Sequence, residues 1–467
     1  MLAGESKSLR ANLSNIVDGD SRFLWGAGAT ICLGDLLHGS CLDAPITEFN
    51  GKSVLVKTRD QISTALALVE LDGVARRLVI CPPGVPPEYI PTLISEADID
   101  ALVFDLASDL SDDYAIPLRV ALRSKVEPAR QMPVKYYPTE WVLLTSGTTG
   151  VPKMVAHTLT GLTGAIKSGN PPKDPTIWGT FYDIRRYGGL QVLLRTLFGG
   201  ASFVISGVDE PLGDYIARLS THAATHLLGT PSHWRRALMS PAAHKLSLRY
   251  VRLSGEVADQ PILDNLRSVY TQADIVHAYA STEAGVGFEV VDCLEGFPPT
   301  VLGVHAEKSE LKIEGGSLRF RSSRTAVRYI GRQSPALAGQ DGFVDTGDMV
   351  EFRGGRYYFL GRRGGIINVG GLKAHPEEIE AIINRHPKVQ ISYVRARNNP
   401  ITGSIVVADV ILKNDTHNVS GESGEETVRR EILRMCTASL DRHKIPTAVH
   451  FVPTLEFNAA GKIARRA

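Results

Sequence analysis

The strongest constraint on the fold is an alternation of short apolar runs with helical patterns that begins near Lys52. The runs SVLVKT, RLVIC and ALVFD are separated by a helical pattern over Gln61–Leu71 and by a second one after the proline-rich loop 82–87. The rhythm returns after residue 140 with the runs WVLL, SFVI, THLLG, LRYVRLSG and DIVHAY. Such alternation is typical of open, mostly parallel sheets covered by helices. We therefore predict an α/β fold whose large N-terminal domain contains two α/β halves.

The pattern changes after Gly287. The segments LKIEGGSLRFRSS and MVEFRGGRYYFLG alternate polar and apolar residues around a Gly-Gly pair, which is typical of antiparallel hairpins. We expect them to form a small β-barrel-like subdomain of the large domain.

Beyond Gly365 the patterns predict a small α+β domain. Its helices are expected near 376–384 and 425–440, and its strands near 389–395, near 404–412 and at HFV. We place the boundary so that residues 1–363 form the N-terminal domain and residues 364–467 form a mobile C-terminal lid.

Charge and composition narrow the class of protein. The 467 residues include 51 Lys and Arg against 50 Asp and Glu, so no chain-wide positive field would attract nucleic acid or anionic lipid. No run approaches the roughly 18–20 apolar residues of a membrane-spanning helix, and the first residues lack the apolar region of a secretory signal. Five scattered cysteines without a CxxC pair favour reduced thiols. We expect a cytoplasmic protein with neither nucleic acid nor membrane as a partner.

The most informative stretch for chemistry is TSGTTGVPK over residues 145–153, directly after the run WVLL. Glycines in such a loop let backbone N–H groups approach a polyphosphate, hydroxyls donate hydrogen bonds and the lysine adds positive charge. The stretch lacks the GxxxxGK[ST] spacing of a Walker motif. The alternative, a flexible polar connection, explains this biased composition less well.

Five motifs follow one another in a fixed order. TSGTTGVPK resembles the phosphate loop of the adenylate-forming superfamily, which includes acyl- and aryl-CoA synthetases, adenylation domains of nonribosomal peptide synthetases and beetle luciferases. YASTE at 279–283 is similar to the family's YGxTE motif, and TGD at 346–348 matches its TGD motif. Gly361-Arg362 followed by IINVGGLKAHPEEIE resembles the opening of the small domain, and GKIAR at 461–465 resembles the closing GKxxR. Acyl- and aryl-CoA ligases are the members closest in pattern.

The resemblance implies a two-step activation. A carboxylate attacks the α-phosphate of ATP, pyrophosphate leaves, and a thiol then displaces AMP from the acyl-adenylate. ATP, Mg²⁺ and coenzyme A, or the phosphopantetheine of a carrier protein, are the implied cofactors. Such a transfer is catalysed largely by positioning and charge stabilisation, so we expect donors, cations and a metal ligand.

The resemblance also assigns roles to individual residues. The β- and γ-phosphates would be held by the loop residues Thr145, Ser146, Gly147, Thr148, Thr149, Gly150 and Lys153. Glu283 would bind Mg²⁺, since a carboxylate with phosphate oxygens is a suitable hard ligand set, and Thr282 would lie near the α-phosphate. The nucleoside would contact the Ser254-Gly255-Glu256 backbone and the Tyr279 ring at adenine, and Asp348 with Arg362 at the ribose. Ala280 replaces a family glycine and would narrow one end of the acyl pocket.

Lys462 lies five residues from the end of the given chain, where a lysine is usually solvated. The match of GKIAR to the family motif instead implies a catalytic lysine that bridges the attacking carboxylate and the α-phosphate. A cation about 4 Å from a forming charge is worth about 4 kcal/mol at an effective dielectric constant near 20. Because so few residues follow Lys462, we expect the thiol to arrive from a separate molecule.

The hinge departs from the family pattern. Gly364 stands where the family usually has Asp or Lys, and glycine still allows the domain rotation. Asn368 stands where many members have Lys. Gly370 and Gly371 would form the loop that borders the thiol tunnel.

The acyl pocket is not determined by any motif. By gapless counting, its candidates are Tyr187, Gly188, Gly189 and Gly229, which allow an aromatic or medium acyl group. Asp183 lies too early to bind the ammonium of an amino-acid substrate. We expect Arg185 and Arg186 to face solvent, with contact to a CoA phosphate as the alternative.

Three functions remain open. The sequence favours ATP-dependent activation of a small carboxylic acid followed by transfer to coenzyme A. The first alternative is an enzyme that loads a separate acyl or peptidyl carrier protein. The second is a degenerate member that binds a nucleotide or acyl ligand without turnover, which Gly364 and Asn368 suggest.

Overall fold

The computed structural model describes residues 8–16, 19–105, 114–129, 135–145, 151–166, 175–305, 309–332, 334–399, 403–413 and 422–456. Its α-helices, numbered along the chain, are α1 Leu9–Leu13, α2 Asp35–His38, α3 Gln61–Leu71, α4 Ile90–Glu96, α5 Leu159–Thr163, α6 Tyr187–Gly199, α7 Leu212–Thr221, α8 Pro231–Ala237, α9 Gln260–Val269, α10 Pro376–Ile383 and α11 Glu422–Ser439.

The strands fall into four sheets. In chain order they are β1 Phe23–Trp25, β2 Thr30–Cys32, β3 Gly39–Leu42, β4 Ser53–Lys57, β5 Arg77–Ile80, β6 Ala101–Asp105, β7 Leu118–Pro128, β8 Glu140–Thr145, β9 Lys153–Thr158, β10 Ile177–Thr180, β11 Ser202–Val204, β12 His226–Gly229, β13 Tyr250–Ser254, β14 Asp274–Ser281, β15 Gly285–Val290, β16 Gly303–His305, β17 Ser309–Glu314, β18 Ser317–Arg321, β19 Arg328–Ile330, β20 Val344–Arg353, β21 Arg356–Arg362, β22 Ile367–Val369, β23 Leu372–Ala374, β24 Val389–Asn399, β25 Gly403–Leu412 and β26 Ala448–Phe451.

Two eight-stranded sheets form the predicted α/β halves. The first has the order β19-β9-β8-β5-β4-β6-β7-β3, and the second has the order β15-β14-β13-β12-β10-β11-β1-β2. Strands β4, β5, β6 and β8 pair in parallel, as do β10 to β14 in the second sheet. A continuous core of buried residues joins the two halves, because α3 and α6 both contribute to it. The prediction of two α/β halves is confirmed.

The third sheet contains the predicted hairpins. It is antiparallel, with the order β16-β17-β18-β20-β21, and its described pairings form an open five-stranded sheet. Both Gly-Gly pairs occupy the turns: Gly315 and Gly316 have φ of 59° and 76°, and Gly354 and Gly355 have φ of 54° and 84°. Two-residue hairpins of this kind need positive φ at both positions, so glycine is the residue that fits.

The fourth sheet belongs to the small α+β region after the hairpins. Strands β23-β22-β25-β24 form it, with β26 added beside β25, and α10 and α11 cover a separate buried core. The predicted boundary at 363/364 coincides with a short 3₁₀ turn over Arg363–Gly365, and it stays a prediction. No helix among the described ranges is long and apolar enough to cross a bilayer.

Candidate active site

The two ends of the phosphate loop lie side by side in the first sheet. Thr145 ends β8 and Lys153 begins β9, and these two residues are paired across the antiparallel ladder. The hydroxyl of Thr145 is buried and has no hydrogen-bond partner among the described residues. The ammonium of Lys153 lies 5.4 Å from the centroid of the Tyr329 ring. A donor and a cation are therefore fixed at the point where the loop leaves and re-enters the sheet.

Tyr329 connects the phosphate loop to the predicted metal ligand. Tyr329 lies on β19, which pairs with β9. The Tyr329 hydroxyl donates to Oε1 of Glu283 at 3.4 Å. Burial and the nearby carboxylate of Glu283 raise the pKa of Tyr329 to about 12, so the phenol keeps its proton at neutral pH. The structure thus brings Lys153 and Glu283 to the same phenol ring.

Backbone hydrogen bonds hold the 279–283 motif against the first sheet. The N–H of Ala326 donates to the carbonyl of Glu283 at 2.9 Å, and the N–H of Val327 donates to the carbonyl of Ala156 at 2.7 Å. The motif closes as a turn in which the N–H of Ala284 donates to the Ser281 hydroxyl. Thr282 and Glu283 are therefore positioned by both large sheets.

The predicted ribose ligand lies on the third sheet. Asp348 accepts hydrogen bonds from the Tyr279 hydroxyl and, at 3.2 Å, from Nε of Arg362. Asp348 and Arg362 are paired residues of β20 and β21, which explains how residues fourteen positions apart meet. Burial, followed by the Asp348 charge, raises the pKa of Tyr279 well above its ordinary value. Tyr279, Asp348 and Arg362 therefore form one hydrogen-bonded group.

The ring of Tyr279 is held by other aromatic rings. Its centroid lies 5.2 Å from that of Phe320 and 5.3 Å from that of Phe359, with nearly parallel planes. Offset-stacked rings at such distances attract one another. Packing therefore fixes the ring that we predict to stack on adenine, and that contact with adenine stays a prediction.

The predicted adenine turn follows β13. The Tyr182 hydroxyl donates to the carbonyl of Ser254 at 2.7 Å and lies 3.0 Å from the Ser254 hydroxyl. The Glu256 carboxylate points away from the turn and accepts from the N–H of Ser232 at the start of α8. The Glu256 side chain is thus engaged elsewhere, and contact of a nucleotide with the backbone of this turn stays a prediction.

The predicted acyl-pocket residues gather around the start of α6. Tyr187 is buried at the first helical position, and Gly188 lies beside the Tyr182 ring. A Cβ on Gly189 would come 2.2 Å from the Asp183 carbonyl oxygen, and one on Gly229 would come 2.7 Å from the Phe181 ring. These two glycines are required by close packing, so their small size does not by itself provide space for a substrate.

The prediction that Arg185 faces solvent is wrong. Arg185 is buried and forms an ion pair with Asp183 at 2.7 Å. It also donates to the carbonyls of Thr58 and Arg59, which belong to the first α/β half. The side chain of Arg186 is also largely shielded, and its Nε has no partner among the described residues. Arg185 is buried because it contacts Thr58 and Arg59 across the two α/β halves, and local sequence patterns do not predict such a long-range contact.

The residues predicted to form the hinge and the tunnel loop lie on the surface. Gly364 is exposed and nothing lies within 4 Å of a Cβ added to it. Gly370 and Gly371 form the turn between β22 and β23, and the Asn368 side chain accepts from the N–H of Gly371 at 2.8 Å. The Asn368 side chain therefore supports this turn.

Several predicted residues lie outside the described ranges. These are Ser146, Gly147, Thr148, Thr149 and Gly150 of the phosphate loop and the catalytic candidate Lys462. The described residues include no cluster of three or more metal-binding side chains. A single carboxylate, Glu283, fits a Mg²⁺ ion that takes its other oxygens from phosphate and water.

Sequence reasoning missed the residues that connect the motifs. Tyr329, Phe320 and Tyr182 belong to no recognised motif, yet each fixes a motif residue through ring or hydroxyl contacts. The available signal was weak, because an aromatic residue in or beside a strand is usually part of a core.

Comparison with known proteins agrees with this geometry. The family model described as AMP-binding enzyme matches residues 77–317, and the model for its C-terminal domain matches residues 378–462. The 2-succinylbenzoate–CoA ligase of Bacillus velezensis is 24% identical over 434 residues, covering 89% of this chain and 81% of that protein. The enzyme of the same name from Lactococcus lactis is 23% identical over 449 residues, covering 91% of each chain.

Solved structures share the fold over nearly the whole chain. An anthranilate–CoA ligase in complex with anthranoyl-AMP superposes with a TM-score of 0.77 at 17% identity, covering 98% of this chain and 95% of that one. An amide bond synthetase from Marinactinospora thermotolerans gives 0.75 at 18% identity, covering 97% and 98%. With the family model matching 241 of 467 residues, counted from 77 through 317, this chain belongs to the AMP-binding enzyme family.

Proposed function

We propose that this chain activates a small carboxylic acid with ATP and transfers the acyl group to the thiol of coenzyme A. The observation that carries the proposal is the convergence of two groups at the junction of the sheets. Lys153, Tyr329 and Glu283 form the group suited to polyphosphate, and Tyr279, Asp348 and Arg362 form the group suited to ribose. A nucleotide that is cleaved between its α- and β-phosphates needs both.

The roles of the side chains follow from their chemistry. Thr145 and Lys153, with the loop residues between them, would bind the β- and γ-phosphates that leave as pyrophosphate. Asp348 would accept from the ribose hydroxyls, and Arg362 keeps that carboxylate oriented. Glu283 would hold Mg²⁺, which when bound neutralises phosphate charge. Thr282 and Lys462 would stabilise the α-phosphate as the acid attacks.

The mobile lid is part of the proposal. Residues 364–467 would rotate about Gly364 so that Lys462 serves adenylation and the 370–371 turn serves thiol transfer. The described region already ties the lid to the large domain through the ion pair between Arg385 and Glu295 at 2.9 Å. The reaction uses ATP and coenzyme A, so we place the protein in the cytoplasm.

The names of the relatives bear on which thiol accepts the acyl group. The two curated relatives described above are both named as CoA ligases, which favours coenzyme A over a carrier protein. The acid in their names, 2-succinylbenzoate, is the first one to test with this chain. Release of AMP should depend on free coenzyme A. Release that responds only to a phosphopantetheinylated carrier protein, or only to an amine, would overturn the choice of acceptor.

The activity itself is tested by exchange of labelled pyrophosphate into ATP. We expect exchange that requires an added carboxylic acid and that disappears in Glu283→Gln. Exposed Glu88 on the large domain supplies the matched control, Glu88→Gln, which should exchange at the wild-type rate. ATP binding without exchange for any acid in a broad panel would favour the degenerate, non-catalytic alternative.

A further inference from the structure

A buried histidine lies on the sheet face that carries the ends of the phosphate loop. His157 belongs to β9, and side chains along a strand alternate between its two faces. Lys153, Val155 and His157 therefore share one face of the first sheet. The ladder pairs Thr145 with Lys153 and Trp141 with His157, so these two residues of β8 lie on that face as well.

Two consecutive residues of the YASTE motif lie over this face. The Tyr329 hydroxyl donates to Glu283 at 3.4 Å. Tyr329 pairs with Val155, two residues before His157. The carbonyl of Thr282 lies close enough to the His157 imidazole to favour its protonated form. Glu283 thus lies beside Tyr329, and Thr282 lies beside His157.

The fold gains little from a histidine at this position. His157 is 1% exposed, and neither ring nitrogen forms a hydrogen bond of normal geometry among the described residues. The Tyr187 ring packs beside it, with ring centroids 5.7 Å apart. A buried imidazole with unmet hydrogen-bonding capacity costs free energy that an apolar side chain would avoid. Departures of this kind are expected at functional sites.

Burial keeps this imidazole neutral. It lowers the pKa of His157 to about 4, and the Thr282 carbonyl opposes that shift only in part. A neutral imidazole has one N–H donor and one acceptor nitrogen. At neutral pH, His157 can therefore donate a hydrogen bond without bringing a charge to the site.

The backbone of the motif shows what such a donor could fix. The N–H of Ala326 donates to the carbonyl of Glu283 at 2.9 Å. The preceding carbonyl, that of Thr282, lies beside the imidazole instead. Thr282 is the residue that we predict to lie near the α-phosphate, and the orientation of its backbone determines where its hydroxyl points.

We propose that His157 is a positioning residue that donates to the Thr282 carbonyl when nucleotide is bound and so holds the Thr282 hydroxyl at the α-phosphate. This inference rests on the proposed function and adds a residue that acts through Thr282 without touching the substrate. Hydrogen bonds in active sites are often long or poorly aligned before the substrate binds, and they tighten in the complex.

The first test is His157→Leu, which removes the donor and keeps a side chain of similar size. Acid-dependent exchange of pyrophosphate into ATP is measured with ATP and the acid varied in turn. We expect kcat to fall about 10-fold, the size of one neutral hydrogen bond, while both KM values stay within about twofold of wild type. The denaturation midpoint at pH 7 should equal or exceed that of wild type, because an unsatisfied buried group is removed.

Two further variants separate the donor from the shape of the side chain. His157→Gln keeps an N–H donor and should keep kcat within about threefold of wild type. His226 on β12 supplies the matched control, because burial lowers the pKa of its imidazole to about 4 as well. His226→Leu should exchange at the wild-type rate.

A double-mutant cycle tests whether His157 acts through Thr282. Thr282→Ala removes the hydroxyl that His157 is proposed to hold in place. In that background, adding His157→Leu should lower kcat by less than about threefold, because residues that act through one another are not additive.

Three results would overturn the inference and leave the proposed function standing. The first is a kcat within twofold of wild type in His157→Leu. The second is an equal loss in His157→Gln and His157→Leu, or a denaturation midpoint that falls together with kcat in His157→Leu, as for a purely structural residue. The third is additive losses from His157→Leu and Thr282→Ala. Absence of exchange with every acid, despite ATP binding, would instead overturn the proposed function together with the inference.

Discussion

The nucleotide end and the acyl end of the site are built in different ways. At the nucleotide end, functional groups stand mostly at strand ends, as with Thr145 and Lys153 at the loop and Arg362, the last residue of β21, which pairs with Asp348 inside β20. At the predicted acyl end, the residues lie at the start of α6 and are held by close packing, as with Tyr187 and Gly189. A loop that binds phosphate requires a particular backbone shape, whereas a packed wall accepts many side chains.

This difference explains why the sequence identifies the nucleotide end of the site more easily than the acyl end. A loop that binds phosphate must combine glycines and hydroxyls in a short stretch, so it forms a motif. A pocket wall is assembled from residues far apart in the sequence, so it forms none. The nucleotide end therefore indicates the reaction class, whereas no sequence motif marks the residues that select the acid.

The largest effect is expected at Lys462, and it should not depend on the acid. Lys462→Ala should slow adenylate formation by about 10²–10³-fold, because a cation is lost from the developing charge. Thiol transfer from a preformed acyl-adenylate should remain largely intact. Single-turnover rates of both half-reactions, with Lys245→Ala as an exposed control, provide the measurement.

Equal losses in both half-reactions would contradict that role for Lys462. A loss that varies strongly with the acid would also erase the distinction between the two ends, since a nucleotide-end residue should act on every substrate alike.

A substitution at Asp348 tests whether this residue acts on ATP alone, as expected of a ribose ligand. Asp348→Asn should raise the KM for ATP about 10–50-fold, because the acceptor of charged hydrogen bonds is weakened, and the KM for the acid should be unchanged. Initial-rate kinetics with each substrate varied in turn measure both constants. Asp214→Asn, at an exposed position of α7, is the control. If the KM for the acid changed and the KM for ATP did not, the predicted role of Asp348 at the ribose would be contradicted.

Gly361 and Gly364 test the junction with the lid. Gly361 has φ of 120°, and a Cβ there would come 2.1 Å from the Glu377 carboxylate, whereas nothing lies within 4 Å of a Cβ at Gly364. We expect Gly361→Ala to lower the free energy of unfolding by about 3 kcal/mol. Gly364→Ala should change it by less than about 1 kcal/mol. Denaturant titration compares them, and equal effects would contradict the described backbone.

The smallest effect is expected at His157, which lies on β9 between the two ends. Burial lowers its pKa to about 4, so the folded protein holds a neutral imidazole while the unfolded chain binds a proton below about pH 6.5. Stability from this group is therefore present at neutral pH and is lost as pH falls from about 6.5 toward 4.

The measurement is the free energy of unfolding at pH 7 and pH 5. Between pH 7 and pH 5, the free energy of unfolding should fall by up to about 2 kcal/mol less in His157→Gln than in the wild type. His244→Gln, an exposed control, should behave as wild type. An identical pH dependence in the wild type and His157→Gln would show that the imidazole titrates normally.

Features that depend on residues close together in the sequence were predicted, whereas contacts between residues far apart in the sequence were not. The helix over Gln61–Leu71 and the hairpins at the two Gly-Gly pairs were predicted correctly, because periodicity and turn chemistry act within a few residues. The exposure of Arg185 was predicted wrongly, because its partners Thr58 and Arg59 are more than 120 residues away. The link from Lys153 through Tyr329 to Glu283 was missed for the same reason.

The proposed reaction transfers the AMP part of ATP to a carboxylic acid and releases pyrophosphate before any thiol is present. Acid-dependent exchange of pyrophosphate into ATP, measured without coenzyme A, tests it most directly. We expect exchange with 2-succinylbenzoate, none without an acid, and loss of exchange in Glu283→Gln. ATP binding with no exchange for any acid, or exchange that appears only once coenzyme A is added, would contradict the account.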